Sequence, residues 1–317
     1  MGENSQKIGK KLEGLGVQIF EMFNWSKRMS DKEIKCTRSI HKNAEGTSKR
    51  THGVDLYMEY YDPYSNKIQG VFIECKNRQW KNIGKAQLQD WVNEEVNLME
   101  CAKSDSSLEE FYSEGADKNC ALLLVNCNDD KYDHQKFQEY LSQLNIPQKR
   151  NPYKIFIAGN RMIEKWDAID RKIREKYSNN LSVLYPSINN SKPISAKYWS
   201  INQLFSKYIF CETTKEVDYG NGIRKTCKNL VIFFMDEISS ESFQYMWSMC
   251  RFFQYENQYD GFEICFWTDT KEDHDYINEN FKSIISRYDN GNVSPEIINK
   301  IEFQFLLNRR LNAIDNR

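Results

Sequence analysis

Apolar residues recur along the chain at intervals that separate helical segments from strands. Spacings of three and four residues indicate one face of a helix, and short unbroken apolar runs indicate buried strands. Residues 26–52 are polar and weakly periodic, which predicts a loop with short irregular elements. In the first half of the chain the pattern predicts helices at 8–25, 84–103, 132–144 and 161–178, and strands at 121–128 and 153–159.

Two β-rich runs, VDLYMEYY and KIQGVFIECK, flank the turn-forming residues Asp62–Asn66. This arrangement predicts a β-hairpin. If the turn is centred between Tyr64 and Ser65, the numbers of paired residues sum to 129, and Asp55 lies opposite Glu74. Paired residues of antiparallel strands point to the same face, so this register predicts that the two carboxylates lie close together.

The second half of the chain alternates strands and helices again, after a polar break rich in Ser, Asn and Pro at 178–195. The break predicts a domain boundary, with domains at 1–178 and 196–317. The order of elements predicts an α/β protein whose second α/β domain is the smaller one. In that domain we expect strands at 229–236 and 262–269, helices at 239–256 and 271–287, and either element at 301–307.

Charge is distributed unevenly, although the 317 residues carry a formal net charge of only −1. Residues 1–90 contain 16 Lys and Arg against 11 Asp and Glu, a balance of +5, and the remainder contains 28 against 34, a balance of −6. A basic N-terminal third fits a surface that faces phosphate groups. A solvated, lysine-rich surface accounts for the same charge equally well.

The nine cysteines are scattered, their number is odd, and no C-x-x-C motif occurs. This pattern argues against a zinc ribbon and against a disulfide framework, and it favours a cytoplasmic protein. Apolar runs of membrane-spanning length are absent from the sequence, so we expect no membrane association.

An acid and an amine end the second strand of the predicted hairpin. Strand side chains alternate between faces, so Glu74 and Lys76 share one face, and the register adds Asp55. Two neighbouring carboxylates repel each other unless a positive charge lies between them. Mg²⁺ or Mn²⁺ meets this need with oxygen ligands, and Lys76 would then face a phosphate or the nucleophile.

An ordinary cross-strand ion pair would also place Glu74 beside Lys76. The tripeptide Asp/Glu-x-Lys occurs five times in the chain, for example at Glu33 and Lys35. The copy at 74–76 differs from the others because it closes a hairpin strand with an aspartate in register on the partner strand. This difference favours a catalytic role for that copy.

The segment HGVDLYMEYYDPYSNKIQGVFIECKNRQW resembles the core of the PD-(D/E)XK, or restriction-endonuclease-like, nucleases. The resemblance covers about residues 8–160 and implies a mixed central sheet flanked by helices. It also implies metal-dependent hydrolysis of phosphodiester bonds, with Lys76 as a catalytic residue. The implied metal ligands are Asp55, Glu74 and the backbone carbonyl of Cys75. Val54 stands where the family motif has proline.

The same resemblance implies two further catalytic residues. Glu13 lies in a Gly-x-x-apolar-Glu context on the first helix, and Glu21 is its alternative on another helical face. Gln87 lies in a Gln-x-x-x-aromatic context on the helix that follows the lysine strand, and Gln89 is its alternative. A solvent-exposed helix face accounts for either position equally well.

Basic residues near the motif are candidates for binding nucleic acid, because a phosphate backbone attracts such charge and Trp80 among them can stack on a base. We expect DNA rather than RNA as the substrate of an endonuclease, with a role in antiviral defence. The alternatives are an RNase and a non-catalytic interaction subunit on a degenerate nuclease fold. A protein partner or a homodimer through the C-terminal domain is also expected. The basic candidates are Lys49, Arg50, Arg78, Lys81 and Lys85.

Overall fold

A computed structural model describes residues 2–43, 46–147, 152–178, 180–186, 193–218, 220, 224–268, 270–288 and 293–308. The helices are α1 Gly2–Met22, α2 Lys85–Ala102, α3 His134–Ser142, α4 Asn160–Lys172, α5 Ile201–Leu204, α6 Ser240–Phe252, α7 Lys271–Tyr288 and α8 Pro295–Asn299. The strands are β1 Ser26–Lys35, β2 Thr51–Asp62, β3 Lys67–Arg78, β4 Asp117–Cys127, β5 Lys154–Ala158, β6 Ser182–Tyr185, β7 Ile194–Ala196, β8 Tyr208–Asp218, β9 Arg224–Phe234, β10 Gly261–Trp267 and β11 Ile301–Leu306.

The first sheet is mixed and has the order β1-β2-β3-β4-β5. Strands β1 to β3 are antiparallel, and β3, β4 and β5 run parallel. Helix α1 packs on one face, where a Cβ on Gly16 would lie 3.3 Å from Leu124. Helix α2 packs on the other face, where its Leu98 and Met99 cluster with Phe72. A mixed sheet flanked by helices on both faces confirms the fold class predicted from the sequence.

The prediction of a loop at 26–52 is wrong for its first part, because strand β1 occupies Ser26–Lys35 and pairs with β2. This strand lies at the sheet edge and buries only Met29 and Ile34, which are five residues apart. An edge strand with one solvent-exposed face carries many polar residues. A register shift between Lys27 and Met29 disturbs the alternation further, so no strand period is visible in the sequence.

The predicted hairpin is confirmed together with its register. Seven pairs, from Leu56 with Ile73 to Asp62 with Lys67, all have residue numbers that sum to 129. The paired residues begin at Leu56 and Ile73, and one step beyond them the Asp55 side chain accepts from the backbone N–H of Cys75.

The second sheet is also mixed and has the order β11-β10-β9-β8-β6-β7. Strands β9, β10 and β11 are parallel, so residues 301–307, which fitted either element, contain a strand. The sequence-based assignment did not include β6, β7 and β8. The core of this sheet is aromatic and centres on Trp247, Phe266 and Phe281 of α6, β10 and α7.

Packing divides the chain into two units, Met1–Glu164 and Lys165–Arg309. The division falls inside α4, earlier than the expected break at 178–195. Part of that break is strand β6, whose Ser182 and Val183 pair with β8 of the second sheet. Hydrogen bonds to a sheet therefore outweigh the polar, loop-like composition there. The ranges 1–178 and 196–317, some of whose residues are not described, stay a prediction about independently folding domains.

Among the described residues, no helix combines the length and the apolar composition that crossing a bilayer requires.

Candidate active site

The end of β3 and the start of β2 bring the predicted acidic and basic side chains together. The backbone N–H of Cys75 donates to Asp55 Oδ2 at 2.8 Å, which holds this carboxylate against β3. Lys76 Nζ donates to Glu74 Oε1 in an ion pair, and both side chains are largely buried. These contacts, and the effect of the Asp55 charge on Glu74, bring Asp55, Glu74 and Lys76 into one group at the end of the hairpin.

Helix α1 adds Glu13 to this group. Its side chain is half-buried, and burial followed by the charge of Asp55 raises its pKa. Glu21, the alternative on the same helix, is exposed to solvent. The structure thus brings Glu13, rather than Glu21, within electrostatic range of the motif.

Helix α2 contributes an acid that the sequence analysis missed. Glu95 is only 2% exposed, and its Oε2 is buried without a hydrogen-bond partner among the described residues. Burial raises its pKa well above the usual range, and the charge of Glu74 adds to this effect. Gln87, Trp91 and Glu95 are spaced four residues apart, which places them along one helix face. This spacing is the signal that could have identified Glu95.

We call Glu13, Asp55, Glu74 and Glu95 the acidic cluster. Burial raises the pKa of Glu74 to about 7, and the charge of Asp55 acts in the same direction. The charge of Lys76 lowers this pKa, but by less than the other two effects raise it. Burial opposes protonation of Lys76, but the Glu74 carboxylate outweighs burial and raises the lysine pKa. Of these four acids Glu95 is buried and the other three are half-buried. The ammonium of Lys76 pairs directly with Glu74, and the remaining acids make the site attractive to a further cation.

The donor chemistry of the acidic cluster suits a hard divalent cation. Its donors are carboxylate oxygens, the ligand type that Mg²⁺ and Mn²⁺ prefer. The unpartnered, buried Oε2 of Glu95 also shows that the protein alone does not satisfy the polar atoms of the site. Asp55, Glu74 and the backbone carbonyl of Cys75 are the residues that could hold the ion.

A cleft of about 620 Å³ lies at the start of α2. Trp91 lines it, and Lys76 Nζ lies 5.9 Å from the centre of the Trp91 ring system. Gln87 also lines the cleft and is exposed, so its amide is accessible there. Gln89, its alternative, bonds in both directions to the backbone of Asn145 at 2.8 Å and therefore has a structural role.

The five basic candidates fall into two groups. Arg78 and Lys81 line the cleft, and Lys85 is exposed at the first position of α2. Lys49 and Arg50 instead lie on the segment that leads into β2, where Lys49 Nζ is 4.0 Å from Glu94 Oε1. The structure therefore brings Arg78 and Lys81 together in the cleft. Lys49 instead pairs with Glu94, an acid whose charge also acts on Glu74 and Glu95, so Lys49 is linked to the acidic cluster through Glu94.

A comparison with protein families agrees with this geometry. The family model described as the PD-(D/E)XK nuclease domain of GAPS4 proteins matches residues 1–162, which is more than half of the chain. The chain belongs to this family. No curated protein matches the chain.

Membership confirms the resemblance to PD-(D/E)XK nucleases that the motif indicated. The first sheet with its flanking helices is the nuclease-type domain, and the chemistry of that domain type is hydrolysis of phosphodiester bonds. The matched range contains the whole acidic cluster, Lys76 and the cleft. The family match does not extend over the second sheet, which begins with β6.

Proposed function

We propose that the chain is a metal-dependent endonuclease that hydrolyses DNA. The acidic cluster around Lys76 is the observation that carries this proposal. A buried excess of carboxylates is unfavourable for folding unless a cation compensates it, so its presence points to a functional requirement for that cation.

Each residue has a proposed role that follows from its contacts. Asp55, oriented by the Cys75 N–H, and Glu74 hold the ion. When bound, the ion supplies the positive charge that stabilises the phosphate as negative charge develops on it. Lys76, held by Glu74 and by the ring of Trp91, orients the nucleophile or a phosphate oxygen.

The surroundings of the cluster suggest how the substrate binds. Arg78 and Lys81 outweigh Asp90 in the lining of the cleft and give it a net positive charge, which attracts a phosphate backbone. Gln87 offers an amide that can donate to a phosphate oxygen or to the nucleophile. The choice of DNA rests on the likeness to restriction-type endonucleases, so the assay includes RNA as a separate substrate.

The test is cleavage of plasmid DNA, linear DNA and RNA by the purified full-length chain with Mg²⁺, with Mn²⁺ or with EDTA. We expect nicking or linearisation of the plasmid with either metal, no cleavage in EDTA, and recovery when Mg²⁺ is added in excess of the chelator. Undiminished cleavage in EDTA would contradict the metal mechanism. Cleavage of RNA alone would make the chain an RNase, and cleavage of neither nucleic acid would favour the non-catalytic alternative.

Matched variants identify the residues responsible. Glu74→Ala and Lys76→Ala should abolish cleavage, whereas Glu33→Ala and Lys35→Ala should not. The control pair has the same Glu-x-Lys spacing, but both of its side chains are exposed on the edge strand β1. Loss of activity in the β1 variants but not in the β3 variants would show that the wrong tripeptide was chosen.

We also propose that the nuclease serves antiviral defence in the cytoplasm and that the second unit binds a protein partner or a second copy of the chain. The combination of a nuclease domain with a further α/β unit supports this proposal. Expression of the full chain should lower phage plating, and Glu74→Ala should restore it. Equal protection by the Glu74→Ala variant would remove cleavage from the explanation.

A further inference from the structure

Two cysteines and two histidines converge in the first unit, on residues that the proposed nuclease reaction does not use. Cys36 follows β1, His41 lies in the connection to β2, His52 is in β2, and Cys101 is near the end of α2. One ligand atom from each residue lies within 4.8 Å of all the others. Both histidines are only 2% exposed and Cys101 is fully buried, whereas Cys36 is half-buried, so three of the four groups are shielded from solvent.

Four of the six ligand-atom distances within this group match a tetrahedral metal site, and the remaining two, from His52 to the sulfurs, are within 4.8 Å. Zn–S bonds of about 2.3 Å and Zn–N bonds of about 2.0–2.1 Å place two sulfurs about 3.8 Å apart, two nitrogens about 3.4 Å apart, and sulfur about 3.6 Å from nitrogen. The sulfurs of Cys36 and Cys101 are 3.8 Å apart. His41 Nδ1 lies 3.4 Å from His52 Nε2 and 3.4 Å from each of the two sulfurs.

Hydrogen bonding alone explains this arrangement poorly. The single Nδ1 atom of His41 has three polar neighbours at 3.4 Å, yet a ring nitrogen offers either one proton or one lone pair. A shared cation accounts for all three contacts at once, because each atom then directs its lone pair toward the same point.

The surrounding groups favour metal binding as well. Glu100 Oε2 lies 3.1 Å from His41 Nε2, so the carboxylate can accept the proton of that nitrogen and leave the lone pair on Nδ1. Carboxylates orient metal-binding histidines in this way. The backbone N–H and the hydroxyl of Thr37 point at the sulfur of Cys101, at 3.3 and 3.6 Å, as suits a negatively charged thiolate.

We propose that Cys36, His41, His52 and Cys101 bind one structural Zn²⁺ ion. Two sulfur and two nitrogen donors in tetrahedral geometry are typical of zinc, and four protein ligands leave no open position for a substrate. Binding releases the thiol protons of both cysteines to solvent. The thiol of Cys36 also donates to the Arg38 carbonyl at 3.4 Å.

The ion would join the connection between β1 and β2 to helix α2. These elements also position the acidic cluster, since β2 carries Asp55 and α2 carries Glu95. The zinc site therefore stabilises the framework of the active site without taking part in the reaction. This inference is independent of the proposed nuclease activity.

Metal analysis of the full-length chain tests the proposal. The chain is purified without a polyhistidine tag and without added metal, and its zinc content is measured by mass spectrometry. We expect about one zinc ion per chain. Replacement by Co²⁺ should produce the intense charge-transfer and d–d absorption of a tetrahedral cobalt site with thiolate ligands. Absence of bound zinc together with a featureless Co²⁺ spectrum would overturn the proposal.

Variants assign the ion to these residues. Cys101→Ser and His52→Ala should each weaken zinc binding at least about tenfold. Cys120→Ser, which changes another buried cysteine of the same unit, and Asp55→Asn, which changes the acidic cluster, should retain one ion. Zinc retained by the first pair or lost from Asp55→Asn would contradict the assignment. If Cys101→Ser does not fold, the Co²⁺ spectrum of the unaltered chain decides.

A disulfide is the competing chemistry, because the two sulfurs are near each other. A disulfide requires the sulfurs to approach to about 2.05 Å, which excludes both from a shared zinc site. Peptide mapping of the natively purified chain should show Cys36 and Cys101 as free thiols after the zinc is released. A stoichiometric Cys36–Cys101 disulfide would overturn the proposal.

Discussion

The two units both bury a glutamate on a central strand, but they treat its charge differently. In the second unit, Glu263 of β10 is 5% exposed and accepts from Lys176 Nζ at 2.6 Å and from the hydroxyl of Tyr177. In the first unit, Glu74 of β3 also pairs with a lysine, but three more acids surround it. The second unit thus balances its buried charge, whereas the first unit leaves an excess.

This difference separates a structural buried acid from a functional one. A buried carboxylate with a cation and a hydroxyl donor is satisfied within the fold. Glu95, by contrast, has a buried oxygen without a partner among the described residues, and its raised pKa reflects its surroundings. A buried carboxylate paired with a lysine therefore does not by itself indicate function, and the uncompensated acids around such a pair do.

The largest expected effect is a difference in DNA cleavage between variants of Glu74 and variants of Glu263. Glu74→Gln should lower DNA cleavage at least about 100-fold, since the site loses a charge needed to hold the ion and to position Lys76. Glu263→Gln should leave cleavage unchanged. Cleavage rates are compared for folded chains that have the same circular dichroism spectrum. Equal losses in both variants would remove the functional difference between the units.

Replacing Glu95 or Glu263 by an apolar residue should change the free energy of unfolding in opposite directions. In chelator at pH 7, Glu95→Met should raise the free energy of unfolding by about 1–3 kcal/mol, because it removes an uncompensated buried acid. Glu263→Met should lower it by about 1–3 kcal/mol, because it leaves Lys176 and Tyr177 without their acceptor. Differential scanning calorimetry measures the thermal unfolding transition of the unit that contains the substituted residue. Destabilisation of both units by similar amounts would contradict the comparison.

The gain from Glu95→Met should depend on pH. The folded chain binds the Glu95 proton more tightly than the unfolded chain, so ionisation in the unfolded state favours unfolding as the pH rises above the usual glutamate pKa. The part of the gain that comes from this ionisation should be present at pH 7 and should vanish near pH 4. Chemical denaturation of the variant and the unaltered chain at both values measures it. A gain of the same size at both values would exclude a titration effect.

A smaller effect should distinguish two glutamines of α2 within the first unit. Gln87→Ala should lower cleavage about tenfold with unchanged stability, because its amide faces the cleft. Gln89→Ala should leave cleavage nearly unchanged and lower the free energy of unfolding by about 1–2 kcal/mol, because it loses both bonds to Asn145. The reverse outcome would exchange their roles.

The smallest effect concerns nucleic-acid affinity. Arg78→Ala and Lys81→Ala should each weaken DNA binding a few-fold and reduce the salt slope by about 1, whereas Lys228→Ala should change neither. Lys228 serves as the control because it belongs to the second unit and pairs with Glu212 at 3.2 Å. Binding is measured in the cleavage-deficient Glu74→Gln background at several salt concentrations. An equal change of DNA affinity in the Lys228 variant would show that overall charge, rather than the cleft, determines binding.

Local sequence determined the part of the site that one hairpin builds. The turn at Asp62–Asn66 set a register in which all seven pairs sum to 129. Strand alternation put Glu74 and Lys76 on one face, and the bond from the Cys75 N–H holds Asp55 near them. Both rules act between neighbouring strands, so they can be applied without knowledge of the rest of the fold. The same locality explains why α2, α3, β4 and β5 were predicted at nearly their observed positions.

Tertiary packing decided the rest. The edge strand β1 takes its structure from pairing with β2, and β6 takes its structure from pairing with β8, so neither shows in its own residue pattern. The Cys and His group joins residues 36, 41, 52 and 101 from separate elements, which no spacing motif reveals. Glu95 became part of the acidic cluster only because α2 packs across the sheet. Burial, which removes water from these groups and sets their charge, is a property of the folded chain and is not encoded at any single position.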